Sequence, residues 1–389
     1  MRYTLLLIIS LLLLHAACQP VARETEEQNI YKDIDSTLKA LASQDKFSGN
    51  ILIETDGEIV LQRSYGYADR ETKRMLNDSS IFELASVSKQ FTAAAVLLLQ
   101  QKGLLSIADT VKHFLPEFPY PDITIYQLLT HTAGLPEYEP LVGDHWDTSQ
   151  IIHNADVLKL LVQYRPKLIF TPGSRMEYSD AGYILLALIV ERVVGAPFAD
   201  FMREQLLLPL GMRHSFVYSD RRSQNKSADN YALGYIYDEV SRQYRLPDSL
   251  SAHQYVYYLD GIEGEGKMQS STRDLLRWHQ SVRDHRLLQP EILNVAFSKA
   301  ILRNGNIAIM QPVYDSSKFD YYGFGYFIED HLQLRKILWH SGGFGGYRTY
   351  AWHAYDRKIS FIMLANTFSP EAGAYRKKIV ESLITYHTQ

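Results

Sequence analysis

The sequence ELASVSKQFTAAAVLLL, residues Glu83–Leu99, joins a Ser-x-x-Lys pair to an apolar run that predicts a buried helix. Residues three apart share one face of a helix, so the amine of Lys89 is expected to approach the hydroxyl of Ser86. A serine hydroxyl attacks poorly until a neighbouring base takes its proton. The apolar surroundings are expected to lower the pKa of Lys89 toward the neutral amine, and the helix N-terminus is expected to favour negative charge at Ser86. The pair is therefore a candidate nucleophile and base.

The Ser-x-x-Lys pattern is a weak indication by itself, because ordinary serine and lysine usage produces it by chance. This chain holds four copies: Ser36/Lys39, Ser43/Lys46, Ser86/Lys89 and Ser223/Lys226. Only Ser86/Lys89 opens an apolar helix, since the other three lie on polar helix positions or in a polar loop. The pattern alone leaves a second interpretation open, in which Ser86 is an ordinary N-cap and Lys89 a surface residue.

A second group of polar residues, Tyr178, Ser179 and Asp180 in MEYSDAGY, precedes a predicted helix over Gly182–Val194. A tyrosine beside a lysine ammonium ionises more easily and can serve as a base. The alternative interpretation is a structural tyrosine of the core.

A third group, His340, Ser341, Gly342 and Gly343, lies between two predicted strands, KILWH and YRTYAWHA. Glycines at a strand edge let a substrate backbone approach closely. A tetrahedral intermediate needs two N–H donors, which the backbone amides of Ser86 and Gly343 can supply. The alternative is a glycine-rich hairpin with a structural histidine.

These three groups, in this order and at these separations, resemble the motifs of the serine β-lactamase and penicillin-binding-protein family: Ser86-x-x-Lys89, Tyr178-x-Asp180 and His340-x-Gly342. The pattern is most similar to the class C-like branch, which includes D,D-peptidases, D-aminopeptidases and esterases. The segments Leu128–Tyr138 (LLTHTAGLPEY) and Asp260–Trp278 also resemble the family, and the resemblance covers about residues 29–389. It implies an α+β fold of the β-lactamase/transpeptidase type, with an antiparallel sheet flanked by N- and C-terminal helices and an inserted, mainly helical lobe.

The resemblance also implies a role for each residue. Ser86 would be the nucleophile, and Lys89 with Tyr178 would be the base system that takes its proton and later activates water. The amides of Ser86 and Gly343 would form the oxyanion hole. Substrate contacts would come from Asp180, His340, Ser341 and Gly342. No metal or organic cofactor would be needed.

Two residues depart from the family's pattern. The second motif usually ends in Asn, and Asp180 cannot donate a hydrogen bond to a substrate carbonyl as an amide does. A charged Asp180 would also favour protonated Lys89. The third motif of β-lactamases usually begins with Lys, and His340, mostly neutral above about pH 6.5, would bind a carboxylate less firmly. We therefore expect poor activity on β-lactams, which Asp180→Asn should raise.

The N-terminal residues MRYTLLLIISLLLLHAACQP are typical of an export signal, with Arg2 before the apolar run Leu5–Leu14. Residues 1–17 are predicted to be a signal peptide, Cys18 a lipidated residue as in bacterial lipoproteins, and residues 18–28 a polar tether. Because His15 replaces the leucine usual in lipoprotein signals, cleavage after Ala17 with a free thiol stays an alternative. Both interpretations predict export to the periplasm or outer membrane. The lipid anchor is the only membrane contact expected.

The rest of the chain is predicted to form a single catalytic domain over residues 29–389, with strands near both ends. A sheet lobe is expected from about residues 29–80 and 250–389, and a helical lobe from about residues 81–250. Alternation over Phe47–Asp69, with a turn at Asp56-Gly57, predicts a hairpin. Helices are predicted over Tyr31–Leu41 and Tyr375–Tyr386.

Composition and missing motifs exclude several other classes. Apolar residues make up 46% of the 389 residues and charged residues 22%, which are ordinary globular values. The formal charge of −4, without a polybasic stretch, disfavours nucleic acid as a partner. No G-x-S-x-G or H-E-x-x-H occurs, and no metal site is expected. The segment from Gly261 to Lys267 imitates a phosphate loop, but Met268 replaces the magnesium-binding Ser/Thr and two glutamates would repel phosphate. No nucleotide is therefore expected.

The sequence thus predicts an exported serine hydrolase that acts through an acyl-enzyme on D-amino-acid peptides or small esters and amides. Its partner would be a small-molecule or short-peptide substrate. Two alternatives stay open: a catalytically silent or slowly acylating protein that binds or senses cell-wall peptides, and a true β-lactamase.

Overall fold

The computed structural model describes residues 19–217, 230–310 and 320–389, with side chains from Gln28 onward. The predicted signal peptide, Cys18 and the Ser223/Lys226 pair lie outside the described residues. The described chain forms two compact units, residues 19–47 with 369–389, and residues 48–368.

The helices, numbered in chain order, are α1 (Gln19–Ser43), α2 (Lys89–Gln101), α3 (Val111–Phe114), α4 (Ile125–Leu129), α5 (Tyr138–His145), α6 (Asn154–Tyr164), α7 (Asp180–Val194), α8 (Phe198–Met202), α9 (Tyr255–Tyr258), α10 (Thr272–Arg283), α11 (Pro290–Ala296) and α12 (Pro370–Thr388). Short 3-10 turns cover Ala85–Ser88, Pro247–Ser249, Ser251–His253 and Tyr355–Arg357, and a π turn covers Arg203–Leu207. Within the described ranges, no helix combines the length and the apolar character needed to cross a membrane.

The strands are β1 (Phe47–Thr55), β2 (Glu58–Tyr65), β3 (Tyr67–Asp69), β4 (Arg74–Met75), β5 (Phe82–Glu83), β6 (Phe216–Val217), β7 (Ile236–Asp238), β8 (Gln243–Arg245), β9 (Met268–Ser270), β10 (Tyr321–Tyr322), β11 (Phe327–His331), β12 (Arg335–Phe344), β13 (Tyr347–Ala354) and β14 (Ile359–Phe368).

The smaller unit brings the two ends of the described chain together. α1 and α12 pack against each other and bury apolar residues that include Ile34, Leu38 and Ile379. Ile34 and Leu38 belong to the apolar stripe that predicts a helix over Tyr31–Leu41. The observed helix begins earlier, because Gln19–Gln28, interpreted as a tether, is rich in good helix formers such as Glu, Gln and Ala.

The main sheet has seven strands in the order β10-β11-β12-β13-β14-β1-β2. The β1–β2 pairing and the pairings from β10 to β14 are antiparallel. An early hairpin thus lies in one sheet with strands from the end of the chain, as the sequence predicts. At the hairpin turn, Asp56 and Gly57 have φ values of 54° and 92°, which an Asp-Gly turn adopts at low cost.

The helical part supplies most of the apolar core. α2 and α7 contact each other, and most of their residues are buried. The predicted division into lobes is approximate, because α10 and α11 lie in the segment assigned to the sheet lobe. A second sheet of three strands has the order β5-β9-β6 and pairs strands from both predicted lobes.

Candidate active site

Ser86 lies in the 3-10 turn Ala85–Ser88, which leads directly into α2. Within the fully described stretch Ser80–Leu99, it is the one residue that is not buried. The preceding residue, Ala85, has a φ of 47°, a left-handed conformation that costs free energy for a residue with a Cβ. The predicted α-helical N-terminus at Ser86 is therefore wrong in detail, since the α-helix begins at Lys89.

The Ser86–Lys89 pair meets as predicted, with Lys89 Nζ 3.2 Å from Ser86 Oγ. The hydroxyls of Ser36 and Ser43, in two of the other Ser-x-x-Lys pairs, donate instead to backbone carbonyls of their own helix. Of the copies that the structure describes, Ser86/Lys89 is thus the one with a lysine at its hydroxyl.

Lys89 is fully buried, and its ammonium contacts two carboxylates. Nζ lies 2.5 Å from Asp180 Oδ1 and 3.6 Å from Glu265 Oε2, and it donates to the Glu265 carbonyl at 2.9 Å. Burial by itself would lower the pKa of Lys89, but Asp180, Tyr178 and Glu265 together raise that pKa well above its ordinary value. The expectation of a lowered pKa is therefore wrong. The expectation that a charged Asp180 favours the protonated amine is confirmed.

Tyr178 lies beside Lys89, with its ring centre 5.1 Å from Nζ. The ring stacks on the imidazole of His131 at 4.2 Å between centroids. The buried Tyr178 hydroxyl meets hydrogen-bond geometry with no side chain of the described residues. Burial raises the pKa of Tyr178 above its ordinary value, although Lys89 and Ser86 act to lower it. Tyr178 is thus a neutral phenol, contrary to the expectation that it ionises more easily.

The His340–Gly343 motif lies within β12 and not in a hairpin turn, which follows at Gly345 and Gly346. β11 pairs with β12 only as far as Trp339, whereas β13 pairs with it as far as Phe344. One side of the strand is therefore open from His340 onward. This open side is the strand edge that the sequence predicts, and the Ser86 turn packs against β12.

Gly342 is the point of closest approach between β12 and the Ser86 turn. A Cβ at Gly342 would stand 3.0 Å from the Ser86 amide nitrogen and would collide with the Leu84 carbonyl and the Thr349 hydroxyl. The missing side chain thus lets the turn, and not a substrate, approach the strand. Gly343, the next residue of β12, is exposed. Its amide therefore lies one residue beyond the point where β12 approaches the Ser86 amide.

His340 is buried at 2% exposure, and both of its ring nitrogens have partners. Nδ1 donates to the Ser341 carbonyl at 2.7 Å, since a carbonyl only accepts, and Nε2 therefore accepts from the Tyr322 hydroxyl at 3.0 Å. Burial, with a contribution from Lys89, lowers the pKa of His340 to about 3. The ring is neutral as expected, but its nitrogens are not free for the substrate contact predicted for them. Ser341 Oγ is buried and unpaired among the described residues.

Two glutamates that the sequence reasoning left out of the site complete it. Burial, followed by the charge of Asp180, raises the pKa of Glu265 to about 8 and the pKa of Glu137 to about 8. Glu137 Oε2 accepts a hydrogen bond from the Asp180 amide at 3.1 Å. Each glutamate lies in one of the two further segments that resemble the family, Glu137 in the first and Glu265 in the second. Their burial against Asp180 depends on the fold and has no local signal.

The glycine-rich segment after Gly261 contacts Lys89 through the Glu265 carbonyl. The Thr92 hydroxyl donates to the Gly264 carbonyl at 2.6 Å, which fixes the loop on α2. Lys267, at the position of a phosphate-loop lysine, is 3% exposed and lies 2.9 Å from Asp260 Oδ1. Its ammonium is therefore paired inside the protein.

The arrangement has the parts that acyl transfer needs. A serine at the surface lies beside a buried ammonium, a neutral phenol lies next to both, and two backbone amides lie on adjacent elements. Over the ranges 19–217, 230–310 and 320–389, no group of three or more His, Cys, Asp or Glu side chains is arranged to hold a metal ion.

Comparison with known proteins gives matches over nearly the whole chain. The profile of the family described as Beta-lactamase matches residues 34–383. Penicillin-binding protein 4* of Bacillus subtilis is 38% identical over 356 residues, which cover 92% of this chain and 76% of that protein. A D-aminopeptidase of Cereibacter sphaeroides is 26% identical, over 88% of this chain and 60% of that protein.

Solved structures match equally widely. A penicillin-binding protein from Bacillus halodurans superposes with a TM-score of 0.73 at 25% identity, over 90% of this chain and 99% of that one. A D-amino acid amidase from Ochrobactrum anthropi also reaches a TM-score of 0.73, at 20% identity, over 92% of this chain and 99% of that one. The second likeness concerns the fold alone.

Proposed function

Because the chain belongs to the beta-lactamase family of serine hydrolases and has the β-lactamase/transpeptidase-like fold, we propose that it is a hydrolase that forms an acyl-enzyme on Ser86. The observation that carries the proposal is the 3.2 Å contact between Ser86 Oγ and Lys89 Nζ, at the one position of Ser80–Leu99 that is not buried. Lys89 and Tyr178 would form the base system that takes the proton of Ser86 and later activates water. The amides of Ser86 and Gly343 would bind the oxyanion.

We propose D-amino-acid peptides or small esters and amides as substrates. Four carboxyl groups, those of Glu137, Glu139, Asp180 and Glu265, influence one another's ionisation at the site, and Lys89 is the cation that contacts two of them. The raised pKa values of Glu137 and Glu265, about 8 for each, mean that further negative charge is already costly at this site. A carboxylate beside the scissile bond, as in β-lactams, would be disfavoured, and a neutral or cationic substrate would be tolerated. The D-aminopeptidase relative supports the same substrate class.

Export and a lipid anchor at Cys18 are part of the proposal and rest on the N-terminal sequence alone. Metabolic labelling with a radioactive fatty acid should mark the wild-type protein and not Cys18→Ser. Label that persists in Cys18→Ser, or no label in either, would contradict the anchor.

A second candidate is a slowly acylating sensor of cell-wall peptides. One observation favours it: the Asp180–Lys89 contact of 2.5 Å stabilises the ammonium, and a protonated lysine is a poor base for activating the deacylating water. Such a protein would acylate once and release the acyl group over minutes or longer. A full turnover cycle on an ester or amide distinguishes the hydrolase from this sensor.

The experiment that tests the function is labelling with a serine-reactive fluorescent phosphonate, followed by peptide mass spectrometry. A penicillin probe runs in parallel and should label weakly. Label should appear on the peptide containing Ser86 and disappear in Ser86→Ala. Ser36→Ala, in an exposed Ser-x-x-Lys pair, is the matched control and should label normally. A folded wild-type protein that reacts with neither probe would contradict the hydrolase proposal, and the site would then be interpreted as a binding cleft.

A further inference from the structure

The Lys89 ammonium has three N–H donors, and three oxygen atoms lie around it. They are the Glu265 carbonyl at 2.9 Å, Asp180 Oδ1 at 2.5 Å and Ser86 Oγ at 3.2 Å. The Lys89 side chain is 0% exposed, so bulk water does not replace any of them. Two of these contacts are hydrogen bonds, to Glu265 and Ser86, and the contact with Asp180 is an ion pair. An ammonium held in this way has no free lone pair for the proton of Ser86.

Other titratable groups also face this ammonium. They are the carboxyls of Asp180 and Glu265, the phenols of Tyr178 and Tyr183, and the imidazoles of His131 and His340. Burial lowers the pKa of both imidazoles and raises the pKa of both phenols, so all four rings are neutral near pH 7. Asp180 is faced in turn by Glu137, Glu139 and Tyr138.

The carboxylates are therefore the groups that can take a proton near Lys89. Asp180 is nearer to the ammonium than Glu265, at 2.5 Å against 3.6 Å, and its side chain is 23% exposed against 14%. Asp180 begins α7, so the helix backbone fixes its position. An asparagine at this position, as the family's motif usually has, could not accept a proton in the same way.

We propose that the base of this hydrolase is the Lys89–Asp180 ion pair and that Glu265 positions it, an inference that rests on the proposed function. As Ser86 Oγ bonds to the substrate carbonyl carbon, its O–H bond breaks and the carbonyl electron pair moves onto the oxygen. The proton passes to Lys89 Nζ while Lys89 passes another to Asp180 Oδ1. Lys89 remains an ammonium and Asp180 becomes a neutral carboxylic acid. The reverse transfer then protonates the leaving amine or alkoxide.

Glu265 acts through Lys89 and does not touch the reacting atoms. Its backbone carbonyl accepts one Lys89 N–H, and its carboxyl, which ionises above its raised pKa of about 8, then adds a second negative charge near the ammonium. The Tyr138 hydroxyl contacts Glu265 Oε1 at 3.5 Å, and Thr92 holds the neighbouring Gly264 carbonyl at 2.6 Å. The loop thus keeps Lys89 aimed at Ser86 even when Asp180 is protonated.

The test is the second-order rate of phosphonate labelling at Ser86 from pH 5 to 10. Asp180→Asn should slow labelling at pH 7 by about 100-fold or more, the size of a lost general base, and Asp180→Glu should restore part of the rate. The wild type should show no alkaline limb up to pH 10, because the pKa of Lys89 lies well above its ordinary value. Glu265→Gln should bring that limb to lower pH, because removing a negative charge lowers the pKa of Lys89. Glu263→Gln is the matched control. It lies on the same loop, its amide is held by Asn154 at 2.8 Å, and its pH profile should match that of the wild type.

The sign of the effect separates this mechanism from a neutral-lysine base. If Lys89 acted as a free amine, Asp180→Asn would lower its pKa and speed labelling at pH 7, and Glu265→Gln would do the same above about pH 8. Faster labelling, unchanged labelling, or a loss in Asp180→Asn that Asp180→Glu does not relieve would overturn the proposal. Urea unfolding of each variant identifies misfolding. If the Asp180 variants do not fold, the pH profile of Glu265→Gln tests the proposal instead. A folded wild type without any label would instead overturn the proposed function itself.

Discussion

Gly342→Ala tests the contact between the Ser86 turn and β12 with one added methyl group. The new Cβ would stand 3.0 Å from the Ser86 amide nitrogen and closer still to the Leu84 carbonyl and the Thr349 hydroxyl, whereas ordinary contacts begin near 3.4 Å. Leu84 offers a backbone atom, and the Thr349 hydroxyl is already bonded to it at 2.6 Å. The Leu84 carbonyl cannot rotate away, and the Thr349 hydroxyl can do so only by breaking that hydrogen bond, so the turn and the strand must separate by several tenths of an ångström.

Overpacking of this kind costs about 1–3 kcal/mol, and a nucleophile displaced by up to ~1 Å loses about 100-fold in rate. Urea unfolding and the phosphonate labelling rate measure the two effects. Gly266→Ala is the matched control, because its Cβ would meet the same turn at Ala85 with an ordinary 3.9 Å contact. Its stability should stay within about 0.5 kcal/mol of wild type. Equal midpoints and equal labelling rates for Gly342→Ala and the wild type would refute the reasoning.

The ionisable groups around the site give four further predictions. Burial and Glu191 raise the pKa of Glu263 from 4.5 to about 7, so the folded state retains a proton that the unfolded state releases. The wild type should therefore lose about 3 kcal/mol of stability between about pH 4.5 and 7, and Glu263→Gln should not. Equal urea midpoints for the two proteins at pH 4.5 and again at pH 7 would contradict this. Tyr322→Phe leaves His340 Nε2 buried without its 3.0 Å partner and should cost about 1–2 kcal/mol. The imidazole signals of His340 should not titrate between about pH 5 and 8, and a transition near pH 6.5 by NMR would show that the ring is solvated. The sequence alone predicts that Asp180→Asn raises activity on β-lactams, but the proposed role of Asp180 as a proton acceptor predicts that penicillin and phosphonate labelling both slow. The ratio of penicillin to phosphonate labelling should still rise, because a repelling charge is removed, and an unchanged ratio would mean that the carboxylate does not exclude β-lactams.

The residues that depend on local geometry could be predicted from the sequence. Ser86 and Lys89 are three residues apart, and continuous turns of helix bring them together whatever the rest of the fold does. The segment YRTYAWHA is β13 from its first residue to its last, because glycines bound it on one side and its apolar pattern suits a strand packed on both faces. The replacement of the family's usual asparagine by Asp180 can also be read from the sequence.

The charge states of the site could not be predicted, because they depend on residues that are distant in the chain. Glu265 is 176 residues from Lys89, and its carbonyl and carboxylate help to turn an expected neutral amine into a stable ammonium. A glutamate is ordinarily a surface residue, so nothing local indicates burial of Glu137 or Glu265. Similarly, the role of Gly342 depends on Leu84 and Thr349, which only the folded chain brings to it.

The central claim is that Ser86 carries the acyl group during turnover. In the direct measurement, the protein is mixed with D-alanine p-nitroanilide or its L enantiomer, and p-nitroaniline release is followed. The reaction is then quenched with acid, and the mass of the peptide that contains Ser86 is determined. We predict release from the D enantiomer and an alanyl adduct on that peptide, with neither in Ser86→Ala. Release that Ser86→Ala retains, or turnover by the wild type with no adduct on Ser86 at any quench time, would contradict the account.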